Sequence, residues 1–237
     1  MTNRVRDTSW LPALQRQIRI VSEVGRLRAR MVDNVHDLSL TIDHDGTTIT
    51  AVTAKAVRIP WTTCPGAMAQ FQQIVGAAID QSSPGGVDKS RQCTHLFDLA
   101  RIAISKADVP GEHALDVHVA PTHAPSVLVA WALIDGREIL RWRVADGHIL
   151  SPDPFSGHAI SGSAAWLGAV DDEDVRVAAL QIKRALLVYF GTRESEQMRY
   201  ASELAGMTGV CFSFQPENLK NARRPDDFHV LPADKVG

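Results

Sequence analysis

The chain has 237 residues, of which 45% are hydrophobic and 22% are charged, and its formal net charge is −2 at pH 7. Chains of this kind fold into one large or two small globular domains, and the near-neutral charge argues against nucleic acid as a partner. The sequence has neither a leader-peptide pattern nor eighteen consecutive apolar residues, so we expect a cytoplasmic protein without a membrane segment. A homodimer is compatible with this composition.

The N-terminal hundred residues predict an antiparallel β-meander followed by two helices. Strand-like runs cover residues 18–24, 27–32, 36–42 and 47–59, with a strong turn signal at 43–46. Apolar residues at helical spacing predict one helix after Cys64 and a second from about Thr94 to Lys106. In the third strand, alternation places His36 on the same side as three apolar residues and Asp37 on the opposite side.

The C-terminal half predicts a hairpin sheet and one long helix. Strand-like runs cover residues 115–119, 127–134, 138–144 and 148–150, and Asp-Gly pairs separate the last three. A helix follows the acidic run 171–174 and ends near Gly191, and a shorter helix at 194–205 and a strand at 210–214 come after it. The sequence therefore predicts an α+β protein with a first module at residues 1–107, a second at 111–214 and an extended tail at 215–237.

Two cysteines stand where predicted helices begin. Cys64 precedes a proline that suits the first position of a helix, and Cys93 precedes the helix that starts near Thr94. Unpaired amide groups and the helix dipole stabilise a thiolate, which is the form that binds metals or attacks electrophiles. The candidate metal ligands are His36, Asp37, Cys64, Cys93 and His95.

Less specific interpretations of these residues stay open. Cys64 and Cys93 are also consistent with buried structural thiols, and His36 with a hydrogen-bonded core histidine. Asp98 either orients His95 or only favours the start of the helix electrostatically. Cys211 lies between apolar residues, which favours a place in the core. Asp37, His95 and Asp98 are the candidate catalytic residues.

The order of these motifs resembles the iron–sulfur-cluster assembly scaffold proteins over about residues 30–107. The shared features are an aspartate at a strand, an Asp-Gly turn, a cysteine after the hairpin and a final cysteine that opens a helix. Val35-His36-Asp37 stands where scaffold proteins have Cys-Gly-Asp. The resemblance implies a pocket for one metal ion, with an iron–sulfur cluster as the alternative.

Over nearly its full length the chain also resembles an uncharacterised bacterial family of unknown function. The matching segments are the His36-Asp37 strand, Arg58 to Pro65, Cys93 to Leu99, and the Arg141 to Val144 strand. That resemblance implies no activity, so the chemistry of the residues must supply one.

The ligand set and an aromatic-containing second half together favour an enzyme. A zinc ion with an exchangeable position polarises a carbonyl or activates water, which supports a lyase of retro-aldol type or a hydrolase. The expected substrate is a small hydroxylated or carbonyl compound with an apolar, for example aromatic, body. The alternative is a metal scaffold or sulfur-relay accessory protein. Because neither half has a βαβ unit or a glycine fingerprint, we expect no NAD, flavin or ATP.

Overall fold

The computed structural model describes residues 13–79, 87–124, 126–195, 197–204 and 206–236. The first twelve residues of the predicted first module lie outside these ranges. The described residues form one antiparallel sheet in the order β4-β3-β2-β1-β5-β6-β7-β8. Its strands are β1 (Leu14–Glu23), β2 (Arg26–Asp33), β3 (Asp37–His44), β4 (Ile49–Arg58), β5 (Gly111–Pro121), β6 (Val127–Ile134), β7 (Arg137–Ala145) and β8 (His148–Ser151).

Tight turns join the strands where the sequence predicts them. Asp135 and Gly136 both have positive φ between the paired residues Ile134 and Arg137, and Asp146 and Gly147 repeat this arrangement. Two successive positive φ values match the right-handed twist of the flanking strands, and Asp-Gly tolerates them at low cost. These turns fix the register of β6, β7 and β8.

Helices cover one face of the sheet. They are α1 (Cys64–Gln70), α2 (Thr94–Ile104), α3 (Glu173–Ser195) and α4 (Pro216–Leu219). The long helix α3 packs on β5, β6 and β7, whereas α2 packs on β2 and β3. One hydrophobic core runs beneath the whole sheet and includes Ile42, Leu96, Trp142 and Ile182. The predicted α+β class is confirmed.

The two predicted sheets are joined into one. β1 pairs with β2 on one side and with β5 on the other, with Ile18 opposite both Met31 and Leu115. Alternating buried positions along β1 continue the buried faces of both neighbours, so the pairing extends a single apolar surface. The meander and the hairpins therefore share one core.

The last forty residues differ from the prediction in three respects. In place of a helix over 194–205, α3 continues to Ser195 and a short 3₁₀ turn follows at Ala201–Glu203. The predicted strand at 210–214 contains a 3₁₀ turn, Phe212–Phe214. The predicted extended tail contains α4 and returns to the sheet, where the Leu231 amide donates to the Asn34 carbonyl at 2.8 Å. Buried contacts thus fold a segment that the sequence predicts to be extended.

Within the described ranges, no helix combines the length and the apolar character that crossing a membrane requires.

Candidate active site

A cavity of about 160 Å³ lies between α1, the start of α2, α3 and the segment 204–224. We call it the inner cavity. Three cysteines and two histidines form its polar wall: Cys64, Cys93, Cys211, His36 and His95. Its apolar wall includes Trp61, Met68, Leu187, Val188 and Phe214. The inner cavity therefore brings together four of the five predicted ligands.

His36 is fixed in this wall by Asp33. The Oδ1 atom of Asp33 accepts hydrogen bonds from the amides of Val35 at 2.9 Å and His36 at 2.8 Å. The same oxygen lies 3.0 Å from Nδ1 of the His36 ring. One carboxylate oxygen thus shapes the turn between β2 and β3 and also orients the imidazole that the turn carries.

The other oxygen of Asp33 binds a buried arginine. Arg16 donates to Asp33 Oδ2 through Nη2 at 2.7 Å and through Nε at 3.2 Å, and its Nη1 donates to Gln181 on α3 at 3.2 Å. Arg16 and Asp33 are both fully buried. Burial would raise the pKa of Asp33, but the neighbouring His36 and Arg16 hold it well below its usual range.

The charge on Asp33 determines the tautomer of His36. An ionised carboxylate accepts hydrogen bonds only, so Nδ1 of His36 must carry the proton that lies between the two groups. In the neutral ring Nε2 then keeps its lone pair. Asp33 therefore leaves Nε2 as the nitrogen that a molecule in the inner cavity can use.

His95 lies beside this pair on the first turn of α2. Its ring centroid is 4.3 Å from that of His36, and the two rings are inclined by 40°. Burial, together with the neighbouring His36 and Arg16, lowers the pKa of His95 well below its usual value. His95 is therefore neutral at pH 7, and it can donate or accept a hydrogen bond without adding a charge to the site.

The thiols do not have the thiolate character expected at helix starts. Cys64 is the first residue of α1 and Cys93 is the N-cap of α2, as predicted. Burial raises the pKa of Cys64 to about 11 and that of Cys93 to about 12. Desolvation of the sulfur thus outweighs the helix dipole, and both thiols are protonated at neutral pH.

Two predicted catalytic residues take part in ion pairs. Asp37 receives two hydrogen bonds from Arg30, at 3.0 and 2.8 Å, and that arginine is 59% exposed. Asp98 does not bind His95; it accepts from Lys89 at 2.6 Å and from Arg184 at 2.8 Å. Asp37 does not line the inner cavity, although the preceding residue His36 does. Alternation explains this difference, because successive side chains point to opposite faces of a sheet.

The geometry also bears on the predicted metal. Across the described part of the chain, no three His, Cys, Asp or Glu side chains come together in a group that could hold a metal ion. The residues as arranged thus do not form a ready ligand shell for a metal ion.

Sequence reasoning missed three residues that support His36. Asp33 contacts the His36 ring, Arg16 binds Asp33, and Gln181 accepts a hydrogen bond from Arg16. A signal for Arg16 was present, because this charged residue occupies an inward position of the alternating pattern, between the apolar residues Leu14 and Ile18. A charged residue at an inward position of a strand is rarely buried without a partner. No sequence pattern marked Asp33, which lies three residues before His36, as a partner of the histidine.

Residues 16–107 match a family described as "Protein of unknown function (DUF2889)". This stretch contains Arg16, Asp33, His36, Cys64 and Cys93, and it confirms the predicted resemblance to an uncharacterised family over these residues. No curated protein matches the chain. The resemblance to iron–sulfur scaffold proteins stays a prediction.

Proposed function

We propose that this protein is an enzyme, a lyase of retro-aldol type or a hydrolase, that acts on a small hydroxylated or carbonyl compound in the inner cavity. The observation that carries the proposal is that His36, which lines the cavity, donates a hydrogen bond from Nδ1 to the buried carboxylate of Asp33. A histidine oriented in this way is the usual form of a general base.

His36 has the same task in both reactions. In retro-aldol cleavage, Nε2 takes the hydroxyl proton, the O–H electron pair forms a new carbonyl, and the carbon–carbon bond pair moves to the carbon beside the existing carbonyl. The proton then returns to that carbon. In hydrolysis, Nε2 takes a proton from the water that attacks the ester carbonyl carbon, and it returns this proton to the alcohol oxygen as the bond between that oxygen and the carbonyl carbon breaks. The ionised Asp33 stabilises the imidazolium that forms in either case.

The other walls suit the proposed substrate. Aromatic and aliphatic side chains, including Trp61 and Phe214, provide contact area for an apolar body. Arg224 also lines the inner cavity, and a guanidinium group stabilises an enolate or a tetrahedral oxyanion. A volume of about 160 Å³ favours a small molecule.

The test is a turnover screen with matched histidine variants. Purified protein is incubated with phenyl-substituted β-hydroxy ketones and esters, and products are measured by mass spectrometry. We expect His36→Gln to lower the rate roughly 10²- to 10⁴-fold, the usual range for a lost general base. The same change at His148, which is exposed on β8, should leave the rate unchanged. No turnover of any compound, or full activity in His36→Gln, would overturn the proposal.

A zinc-dependent form of this reaction is the second candidate. It is favoured by the presence of Cys64, Cys93, His36 and His95 around one cavity and by the carboxylate behind His36, an arrangement frequent at metal-binding histidines. It requires a ligand arrangement different from the present one. Elemental analysis of protein purified without a histidine tag distinguishes the two: about one zinc per chain supports this candidate, whereas iron with sulfide supports the scaffold alternative.

A further inference from the structure

A larger cleft, of about 900 Å³, lies between α2 and α3. We call it the outer cleft. Thr94, Arg184 and Val210 line both the outer cleft and the inner cavity. The two spaces therefore meet at these side chains, and a ligand in one is within reach of groups in the other.

The junction carries an excess of positive charge. Asp98 is almost fully buried, and it is shared by two cations, Lys89 at 2.6 Å and Arg184 at 2.8 Å. These three groups sum to one positive charge. The lysine side chain is 33% exposed and the arginine side chain 17%, so water screens this charge only in part. At the other end of the cleft, Glu173 and Arg176 compensate each other.

Arg184 is prepared to bind an oxyanion. Among the described residues Asp98 is the hydrogen-bond partner of its side chain, and that bond uses Nε. Both terminal nitrogens are left for a ligand, and the fork of a guanidinium matches the two oxygens of a carboxylate or phosphate. The bond to Asp98 fixes the side chain before the ligand arrives, which reduces the entropy lost on binding.

The positive end of α2 adds to this potential. The helix begins at Thr94, in the wall that both spaces share, and a helix N-terminus favours negative charge.

From this arrangement we propose that the ligand of the inner cavity is an anion whose carboxylate or phosphate group binds Arg184 and Lys89 at the junction. The inference rests on the proposed function and names its substrate class. The apolar body would lie in the inner cavity near His36, and the charged end would face the outer cleft. Long-range attraction by the same charges would speed capture at low ionic strength.

The test compares probes that differ in charge, with benzoate and the neutral benzamide as an isosteric pair. Benzoate, phenyl phosphate, inorganic phosphate and the neutral benzamide are titrated into the purified protein by calorimetry, with wild type and the variants Arg184→Gln and Arg143→Gln. Arg143 lies exposed on β7 and serves as a control for the loss of one arginine. Circular dichroism and the thermal midpoint show whether each variant is folded.

We expect an aromatic oxyanion to bind at least tenfold more tightly than benzamide, and Arg184→Gln to remove this preference while Arg143→Gln keeps it. Arg184→Lys, which retains the charge and loses the fork, should keep part of the preference. The relative affinity of benzoate and phenyl phosphate identifies the group that is recognised.

Equal binding of benzoate and benzamide, or no binding of any oxyanion at 10 mM, would overturn the inference. If neutral β-hydroxy ketones are turned over with dependence on His36 while Arg184→Gln leaves the preference for benzoate over benzamide unchanged, the proposed function stands and this inference fails. If oxyanions bind through Arg184 but His36→Gln leaves turnover unchanged, the site stands and the proposed base is wrong.

Discussion

Asp33 holds His36 by two bonds to a single oxygen, one from the histidine amide at 2.8 Å and one from ring atom Nδ1 at 3.0 Å. Its second oxygen binds the buried Arg16. Backbone turn, ring orientation and charge balance thus depend on the same carboxylate. A change at Asp33 should therefore affect both the stability of the fold and the chemistry of the site.

The first prediction concerns stability. Asp33→Asn leaves Arg16 buried without a matching charge, and breaking a buried pair in this way costs about 3–5 kcal/mol of unfolding free energy. Glu23→Gln is the matched control, because Glu23 and its partner Arg28 are both about half exposed and such pairs contribute about 0–1 kcal/mol. Urea unfolding measures both. Equal losses in the two variants would contradict the role assigned to the buried pair.

The second prediction concerns acid sensitivity. His95 has a folded pKa well below the usual 6.5, so below pH 6.5 the unfolded chain binds a proton that the folded chain does not. The free energy of unfolding should therefore fall as pH decreases from 6.5, by up to about 1.4 kcal/mol per pH unit from this group. Asp33 adds a further loss only below its ordinary value of 3.8, as its lowered pKa is approached.

His95→Gln should remove the first of these slopes. The measurement is urea unfolding of wild type and variant at half-unit steps between pH 7 and 4.5, with His148→Gln as control for the loss of one histidine. Parallel curves for wild type and His95→Gln would show that His95 is protonated in the folded protein.

The third prediction concerns the thiols. With a pKa of about 11, Cys64 is only about 0.1% thiolate at pH 8, whereas a free cysteine is about one quarter ionised. Alkylation by iodoacetamide should thus be roughly 200-fold slower in the native protein than in urea. Mass spectrometry of timed samples measures labelling at each cysteine. Rapid labelling of native Cys64 or Cys93 at pH 8 would contradict their protonated state.

Added zinc makes the same experiment informative about the second candidate function. A metal that coordinates Cys64 and Cys93 deprotonates them and shields them from the reagent. Protection of both cysteines by one equivalent of zinc would support the metal-dependent reaction.

Local patterns predicted those parts of the fold that depend on neighbours in the sequence. The turns at Asp135-Gly136 and Asp146-Gly147 need only two residues with positive φ, and both are present. The long helix was predicted from an acidic start and from apolar residues at helical spacing, and it begins at Glu173. The β1–β5 pairing was not predicted, because nearly a hundred residues separate Ile18 from Leu115 and no local signal specifies which strand edge is used.

The site was predicted only in part, because some of its features depend on local sequence and others on contacts between distant segments. Helix starts were correctly assigned to Cys64 and Cys93, but their pKa values depend on burial by distant segments, which spacing does not reveal. Alternation predicted that His36 faces the same side as Leu38; His36 lies just before β3, and both residues line the inner cavity. The orientation of His36 follows from Asp33 and Arg16, whose contact across β1 and β2 exists only in the folded sheet.

The most direct test of the central claim is the tautomer of His36 and its response to a ligand. Nitrogen NMR of histidine-labelled protein, at a pH where the ring is neutral, distinguishes a protonated Nδ1 from a protonated Nε2. We predict that Nδ1 carries the proton, that Asp33→Asn abolishes this preference, and that a ligand which stabilises the fold shifts the Nε2 resonance. A proton on Nε2, or an Nε2 resonance unmoved by every stabilising ligand, would contradict the assignment of His36 as the base of this cavity.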